Sequence, residues 1–242
     1  MKLGISGYGV VGWATKAAFE SQGHTFVLHD LTPNDHWVDL LESDIIFICT
    51  PEAAVPEIVG TLVRDKYEGI IVIRSTVPPL TTEGLEEKYK RAILHNPEFL
   101  REAHWQEDAL DPRFIIIGGN DTESLKTLTR LYGPLRAPIF TMRARDSEMF
   151  KFWSNIRLTC NISFANEMKR ICDHVGANAH QINNLIAHFP LYQGHPWYVG
   201  QEYGGRCLPK DLEQLINYAH SEGIGTPLLE AIREVNDSVM TQ

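Results

Sequence analysis

A six-residue glycine pattern, Gly7-Tyr8-Gly9-Val10-Val11-Gly12, follows the short apolar run at residues 2–6 and opens a helical stretch. In that context it constrains the fold more than any other feature of the 242 residues. Gly7 permits a tight turn, Gly9 lets a pyrophosphate approach the backbone, and Gly12 lets helix and strand pack closely. The amides at the start of the helix, expected from about Val10 to Gln22, then favour a bound anion. Thr25-Phe26-Val27-Leu28-His29 reads as the next strand, closed by Asp30, 18 residues after Gly12. A carboxylate there accepts hydrogen bonds from adenosine ribose hydroxyls and repels a 2′-phosphate, which predicts NAD rather than NADP. Flavin is the competing dinucleotide.

Further apolar runs follow at Asp44–Cys49, Ile70–Ile73, Arg91–Leu94 and Phe114–Ile117, separated by helical stretches. Runs of that kind predict a parallel sheet covered on both faces. The texture changes after Met142. From about Asp146 to His174 there is no proline or glycine, and Met149, Phe152, Trp153, Ile156 and Cys160 recur at helical spacing. One long helix is expected, capped near Gly176. Shorter helices are expected at Ala179–Ala187, 208–222 and 227–240, with a loop from His188 to Arg206. The predicted fold class is α/β, a Rossmann-like doubly wound parallel sheet over residues 1–143. A smaller all-helical domain with one long central helix occupies 144–242.

The formal net charge of −9 disfavours a nucleic-acid partner. No apolar run reaches membrane-spanning length, and MKLGISGYGVVG enters the first strand too early for a signal peptide. Cys49, Cys160, Cys172 and Cys207 lack metal-like spacing. A reduced, cytoplasmic protein without a metal is the expectation.

Four segments carry chemistry. Tyr203-Gly204-Gly205-Arg206-Cys207-Leu208-Pro209-Lys210-Asp211 brings a thiol, an ammonium and a carboxylate within five residues. Asn96-Pro97-Glu98-Phe99-Leu100-Arg101-Glu102 and Arg74-Ser75-Thr76-Val77-Pro78-Pro79 each follow an expected strand, at the carboxyl edge where open α/β sheets bind ligands. Lys151 and Asn155, four apart on the long helix, share a face. Taken singly, each has a plainer reading. Lys151 alone is a solvated helix lysine, Glu98 or Glu102 a surface carboxylate, and Cys207 a small buried hydrophobe. A nicotinamide cofactor and a nucleophilic cysteine in one chain instead point to hydride transfer coupled to a covalent thiol intermediate. A lysine near Cys207 and the helix expected from Leu208 would favour its thiolate.

GYGVVG, RSTVPP, NPEFLRE, SEMFKFWSNIRLTCNISFANEM and YGGRCLPKD stand in one order. In these segments the chain resembles the UDP-glucose/GDP-mannose dehydrogenases over most of its length. NPEFLRE and GGRCLPKD are highly specific; GYGVVG is not. The resemblance implies oxidation of a sugar-nucleotide primary alcohol to a carboxylate with two NAD per turnover. It assigns Lys151, Asn155 and a water held by Asp211 to the hydroxyl proton and developing oxyanion, and Cys207 to attack on the aldehyde. Thr76, Asp211 and either Glu98 or Glu102 position the water that hydrolyses the thioester. It gives the cofactor Gly7, Tyr8, Gly9, Val10, Val11, Gly12, Asp30, Thr50, Pro51, Ser75, Thr76 and Glu102. It gives the substrate Glu98, Phe99, Leu100, Arg101, Lys151, Asn155, Tyr203, Gly204, Gly205 and Lys210.

The family also implies a homodimer through the central helices, with Trp153, Ile156 and Phe164 contributing to core or interface. Three departures accompany the resemblance. A further C-terminal α/β domain that grips the nucleotide is not found within the 242 residues. Between His188 and Gly205 there is no arginine, and Glu202 stands where a diphosphate is expected; His188, His195, Trp197 and Tyr198 line another pocket or pack. The link from Asp30 to Asp44 is short, which predicts a more open cofactor site. Two alternatives stay open: a single-step β-hydroxyacid dehydrogenase, which needs Lys151 and Asn155 but not Cys207, and a non-catalytic NAD-binding remnant or partner subunit.

Overall fold

A computed structural model describes residues 1–30, 36–188, 200–205 and 207–240; His195, Trp197, Tyr198 and Arg206 lie outside the described residues. The chain forms two compact units, Met1–Lys151 and Phe152–Gln242. The first contains β1 (Lys2–Ser6), α1 (Val10–Glu20), β2 (Thr25–His29), α2 (Trp37–Leu40), β3 (Ile45–Ile48), α3 (Val55–Arg64) and β4 (Ile70–Ile73). It continues through α4 (Thr81–Tyr89), β5 (Ile93–His95), α5 (Trp105–Leu110), β6 (Ile115–Gly118), α6 (Thr122–Tyr132) and β7 (Ile139–Met142), then the first turns of α7 (Ala144–Val175).

The seven strands lie in the order β2-β1-β3-β4-β5-β6-β7. Alternation along β3 shows why both faces are covered. Ile45 and Phe47 enter one core with Phe19 and Leu128, while Ile46 and Ile48 enter the other with Leu40, Val59 and Leu62. Pairing of β1 with β2 on one side and β3 on the other is parallel. The strand order therefore reverses at β1, and the crevice beyond its carboxyl end is the expected ligand position.

One departure from the all-parallel expectation is clear. β6 runs antiparallel to β5 and meets it through a single residue pair, His95 with Gly118, while β7, an additional strand, pairs parallel with β6. A strand buried on both faces is apolar throughout whichever way it runs, so the run Phe114–Ile117 carries no direction. The side chain of Asn96 reinforces this thin seam, its Nδ2 donating to the Ile116 carbonyl at 2.7 Å.

The start of α7 is fixed to the sheet edge by buried polar groups. A Cβ on Gly118 would lie 2.5 Å from the Ser147 Cβ, so the helix approaches as closely as glycine allows. Ser147 Oγ and His95 Nδ1 are 2.8 Å apart. Burial pushes the His95 imidazole down to about 3, so the ring is neutral at ordinary pH. Its Nε2–H is then the donor to the Ser75 carbonyl, 3.4 Å away, and Nδ1 accepts from Ser147. Leu80, which precedes α4, has a left-handed φ of 70° and offers no side-chain cap. Glu148 supplies one from α7, accepting from Leu80 N at 2.7 Å, Thr82 N at 2.8 Å and Thr82 Oγ1 at 2.6 Å. Burial still raises the Glu148 carboxyl above the usual range despite these donors.

The second unit holds the rest of α7 with α8 (Ala179–Ile186), α9 (Leu208–Ser221) and α10 (Pro227–Met240). α7 ends at Gly176, whose φ of 71° is the left-handed cap conformation. Asn178 then caps α8 by accepting from Gln181 N at 3.0 Å. Ile162, Tyr203, Leu212, Ile216 and Ile232 form the core, with Ile156 packed against it. Trp153 and Phe164 are 73% and 63% exposed. Among the described residues no helix is long and apolar enough to cross a membrane.

Candidate active site

The glycine turn divides its labour in a way the geometry makes explicit. Gly7 has a φ of 91°, and a Cβ there would lie 2.8 Å from the Cys49 backbone. A Cβ on Gly12 would stand 2.2 Å from the Gly7 carbonyl oxygen. Both glycines are therefore demanded by the protein itself. Gly9 is not: its backbone is extended, and a Cβ there would meet no described atom within 4 Å. Gly9 is also the N-cap of α1, which has no side-chain cap and no acidic residue in its first turn. A helix start without its own anion, reached across a residue lacking a side chain, suits a pyrophosphate.

Neighbouring groups fit the same ligand. Asp30 follows β2, exposed, and its Oδ2 accepts from Tyr8 N at 3.0 Å, which brings the carboxylate to the glycine turn. Tyr8 packs against Trp13 with ring centres 4.2 Å apart and planes tilted by 36°; Val10 is exposed and Val11 half-buried. Thr50, after β3, has a buried Oγ1 with no hydrogen-bond partner among the described residues, a vacant capacity beside Gly7 that a ligand hydroxyl or amide would satisfy. Pro51 is exposed and Thr76 half-buried. Ser75 is committed inward, its Oγ donating to the Thr50 carbonyl at 2.5 Å. These residues fit NAD.

The packing difference between the glycines makes a prediction. Gly12→Ala is expected to destabilise the ligand-free protein by about 3 kcal/mol, a fall of roughly 6–12 °C in melting temperature. Gly9→Ala should leave that temperature almost unchanged while weakening NAD at least about tenfold, since its added methyl meets only the ligand. Thermal-shift titration reads both quantities, and equal destabilisation by the two variants would remove the pyrophosphate assignment.

A second cluster of the first unit surrounds Glu98. Lys151 Nζ lies 3.0 Å from Glu98 Oε1 and donates to the Glu98 carbonyl at 2.7 Å, the side chains being 5% and 10% exposed. Leu100 N donates to Glu98 Oε2 at 2.7 Å. Burial alone would raise the Glu98 carboxyl, yet the Lys151 ammonium, the Leu100 amide and Arg74 outweigh it and hold the group below its ordinary value. Lys151 is thus not a solvated helix lysine. Its Nζ also stands 5.2 Å over the Phe99 ring, which packs with Phe114 and Phe150. Arg74 is buried and donates from Nη1 to Asn96 Oδ1 and Tyr132 Oη, both at 2.5 Å. Arg101, expected at the substrate, instead forks onto Asp108 with Nη2 at 2.7 Å from Oδ1. Glu102 is exposed at the start of the 3₁₀ turn Glu102–His104.

In the second unit Asn155 Nδ2 donates to Asp211 Oδ2 at 2.6 Å. Asp211 is 1% exposed; Lys210 Nζ lies 3.0 Å from its Oδ1 as an ion pair, and that oxygen accepts no hydrogen bond among the described residues. Cys207 is exposed at the N-cap of α9, and Asp211 N donates to its carbonyl at 2.8 Å, setting the carboxylate one turn beyond the thiol in sequence. Cys49, by contrast, is pushed up to about 11 by burial and is inert at neutral pH. Tyr203, expected at the substrate, is a core residue: its ring packs with Leu212 and Ile216, and burial pushes the phenol up to about 12. Gly204 is exposed, and Gly205 has a φ of 75°. Two buried asparagines hold this segment: Asn166, inside the long-helix segment but given no role there, and Asn236, outside every motif; the available signal is an amide at an apolar position of a helix.

Among the described residues no group of three His, Cys, Asp or Glu side chains is placed to hold a metal ion. The fold and these sites define a dinucleotide-binding α/β unit followed by a helical unit bearing a cysteine, a lysine and an Asn–Asp pair. Residues 40–136 match the NAD binding domain, and residues 145–238 the central domain, of the UDP-glucose/GDP-mannose dehydrogenase family. The chain belongs to that family, and NAD is its cofactor. A UDP-glucose 6-dehydrogenase of Bacillus subtilis (strain 168) is 33% identical over 218 residues, 82% of this chain and 50% of the relative. The chain therefore spans about half the length of that curated relative. A UDP-glucose dehydrogenase structure from the hyperthermophilic archaeon Pyrobaculum islandicum superposes with a TM-score of 0.88 at 26% identity, covering 98% of this chain and 68% of the other. A Mycobacterium tuberculosis 3-hydroxyisobutyrate dehydrogenase shares the fold at 15% identity, with a TM-score of 0.77 over 100% of this chain and 94% of that one.

Proposed function

We propose that the chain oxidises the primary alcohol of a nucleotide-linked sugar, UDP-glucose being the first candidate, to the carboxylate in two steps through a thioester on Cys207. NAD supplies the hydride acceptor for each oxidation. In the first, Lys151 and Asn155 hold the substrate oxygen as its proton leaves through a water bound to Asp211, and the ammonium stabilises charge that develops only during reaction. The Cys207 thiolate then adds to the aldehyde carbon to give a thiohemiacetal. After the second oxidation the carbon is a thioester, and water held by Asp211 with Thr76 and Glu98 hydrolyses it, releasing the carboxylate and the thiol. Retention of the carbon on sulfur keeps the aldehyde from escaping between steps.

The observation that carries this reading is Asp211, buried one turn after an exposed cysteine, paired to Asn155, with one oxygen lacking a hydrogen bond among the described residues. A structural carboxylate would have both oxygens satisfied. The likeness to the 3-hydroxyisobutyrate dehydrogenase supports a second reading, a single oxidation that uses Lys151 and Asn155 without the thiol. Counting NADH per UDP-glucose consumed decides between them: two supports the thioester route, one the single oxidation. NAD binding with no turnover of any sugar nucleotide would make the chain a binding protein. The exposed Trp153 and Phe164 support a homodimer through α7, and light scattering that returns only the monomer mass excludes it.

A further inference from the structure

The segment leading to Cys207 is held by two side chains to which the proposed chemistry gives no role. Asn236 on α10 is 5% exposed and Asn166 on α7 is 2% exposed. Asn236 Oδ1 accepts from Tyr203 N at 2.8 Å, and its Nδ2 donates to the Tyr203 carbonyl at 3.2 Å. Asn166 holds the chain just upstream across two residues, accepting from Gly200 N at 2.7 Å and donating to the Gln201 carbonyl at 2.7 Å. Residues 200–203 pair with no strand in the described structure. The two amides stand in for a neighbouring strand, each meeting one backbone donor and one acceptor. Position along the chain is thereby fixed to the residue, because a slip by one would break all four bonds.

We propose that Asn236, assisted by Asn166, is a positioning residue for Cys207. The inference rests on the proposed role of that thiol. The Tyr203 ring is already anchored in the core, so adhesion of the segment does not depend on Asn236; an aliphatic side chain at 236 would keep that adhesion but leave the buried Tyr203 N–H and carbonyl without partners. What the amide adds is register. Between the pinned Tyr203 and the start of α9 lie only Gly204, Gly205 and Arg206, and the Cys207 carbonyl is itself engaged by Asp211 N. The thiol therefore hangs between two fixed points, one made by Asn236 and the other by the helix.

The test uses the full chain and iodoacetamide, with alkylation of each cysteine followed by peptide mass spectrometry at neutral pH. Asn236→Ala is expected to change the Cys207 rate by about tenfold, since misplacement of about 1 Å has effects of that order or larger. Cys160 and Cys172, both partly buried in the same unit, should stay within about twofold, whereas general loosening would accelerate all three together. Asn236→Asp, which keeps the acceptor for Tyr203 N but loses the donor, should fall between. If Asn236→Ala loses its helical circular dichroism, Asn166→Ala is judged by the same ratio. An unchanged Cys207 rate, or a rise shared by all three cysteines, overturns the proposal. In turnover, Asn236→Ala should lower kcat about tenfold with the KM for NAD unchanged. A wild-type chain that oxidises no sugar would defeat the proposed function, yet the alkylation ratio would still decide the role of Asn236.

Discussion

Cys207→Ser is expected to end carboxylate production while leaving NAD binding intact. A serine hydroxyl, whose proton is held near neutral pH, is a far weaker nucleophile than a thiolate. Loss of acid output on the order of 10³-fold or more follows from removal of the covalent route. NADH per sugar nucleotide should drop from two to at most one, with aldehyde trapped by a hydrazine reagent. The NAD-induced rise in melting temperature should match wild type, since Cys207 belongs to the helical unit and the glycine turn to the other. Carboxylate formed at an undiminished rate would eliminate the thioester route and leave the single-step reading standing.

Lys151→Met carries the second large effect, and it acts on stability as well as rate. The ammonium is the chief favourable partner of a buried carboxylate, so its removal strands Glu98 at a cost of about 3–5 kcal/mol. A fall of roughly 6–20 °C in melting temperature corresponds to that, together with a loss of about 10²–10³ in kcat from the missing oxyanion partner. The dependence on pH should change sign. In the wild type the folded-state Glu98 is held below its ordinary value of 4.5. Its contribution is complete above the unfolded value and lost as pH falls through the lower folded one. Without the ammonium, burial dominates and raises the carboxyl, so the variant should gain stability on mild acidification. Glu98→Gln in the Lys151→Met background should recover much of the loss; a double variant as unstable as the single would show that the pair is not coupled.

Much of this architecture is legible in the amino-acid sequence because the determinants are local. The glycine turn is set by residues within six positions, β2 and β4 are bounded where their apolar runs begin and end, and α7 declares itself by 32 residues without a breaker. Pairing is less legible. Direction at the β5–β6 seam leaves no mark on an apolar run, and β7 is only four residues long, directly after Pro138, short enough to pass for a loop. Among the site residues, the partners are what the sequence withholds. Nothing local tells that Arg101 turns to Asp108, that the Ser75 hydroxyl is spent on Thr50, or that the Tyr203 ring is interior. Each outcome is decided by neighbours from another element, and the asparagines of α7 and α10 are the extreme case.

The buried pairs built on Lys151 and Asn155 hang from one uninterrupted helix, four residues apart. Inserting or deleting a single residue between them would rotate everything downstream by about 100°. The spacing between these two residues is therefore as constrained as their identities, and gaps in related chains should fall elsewhere.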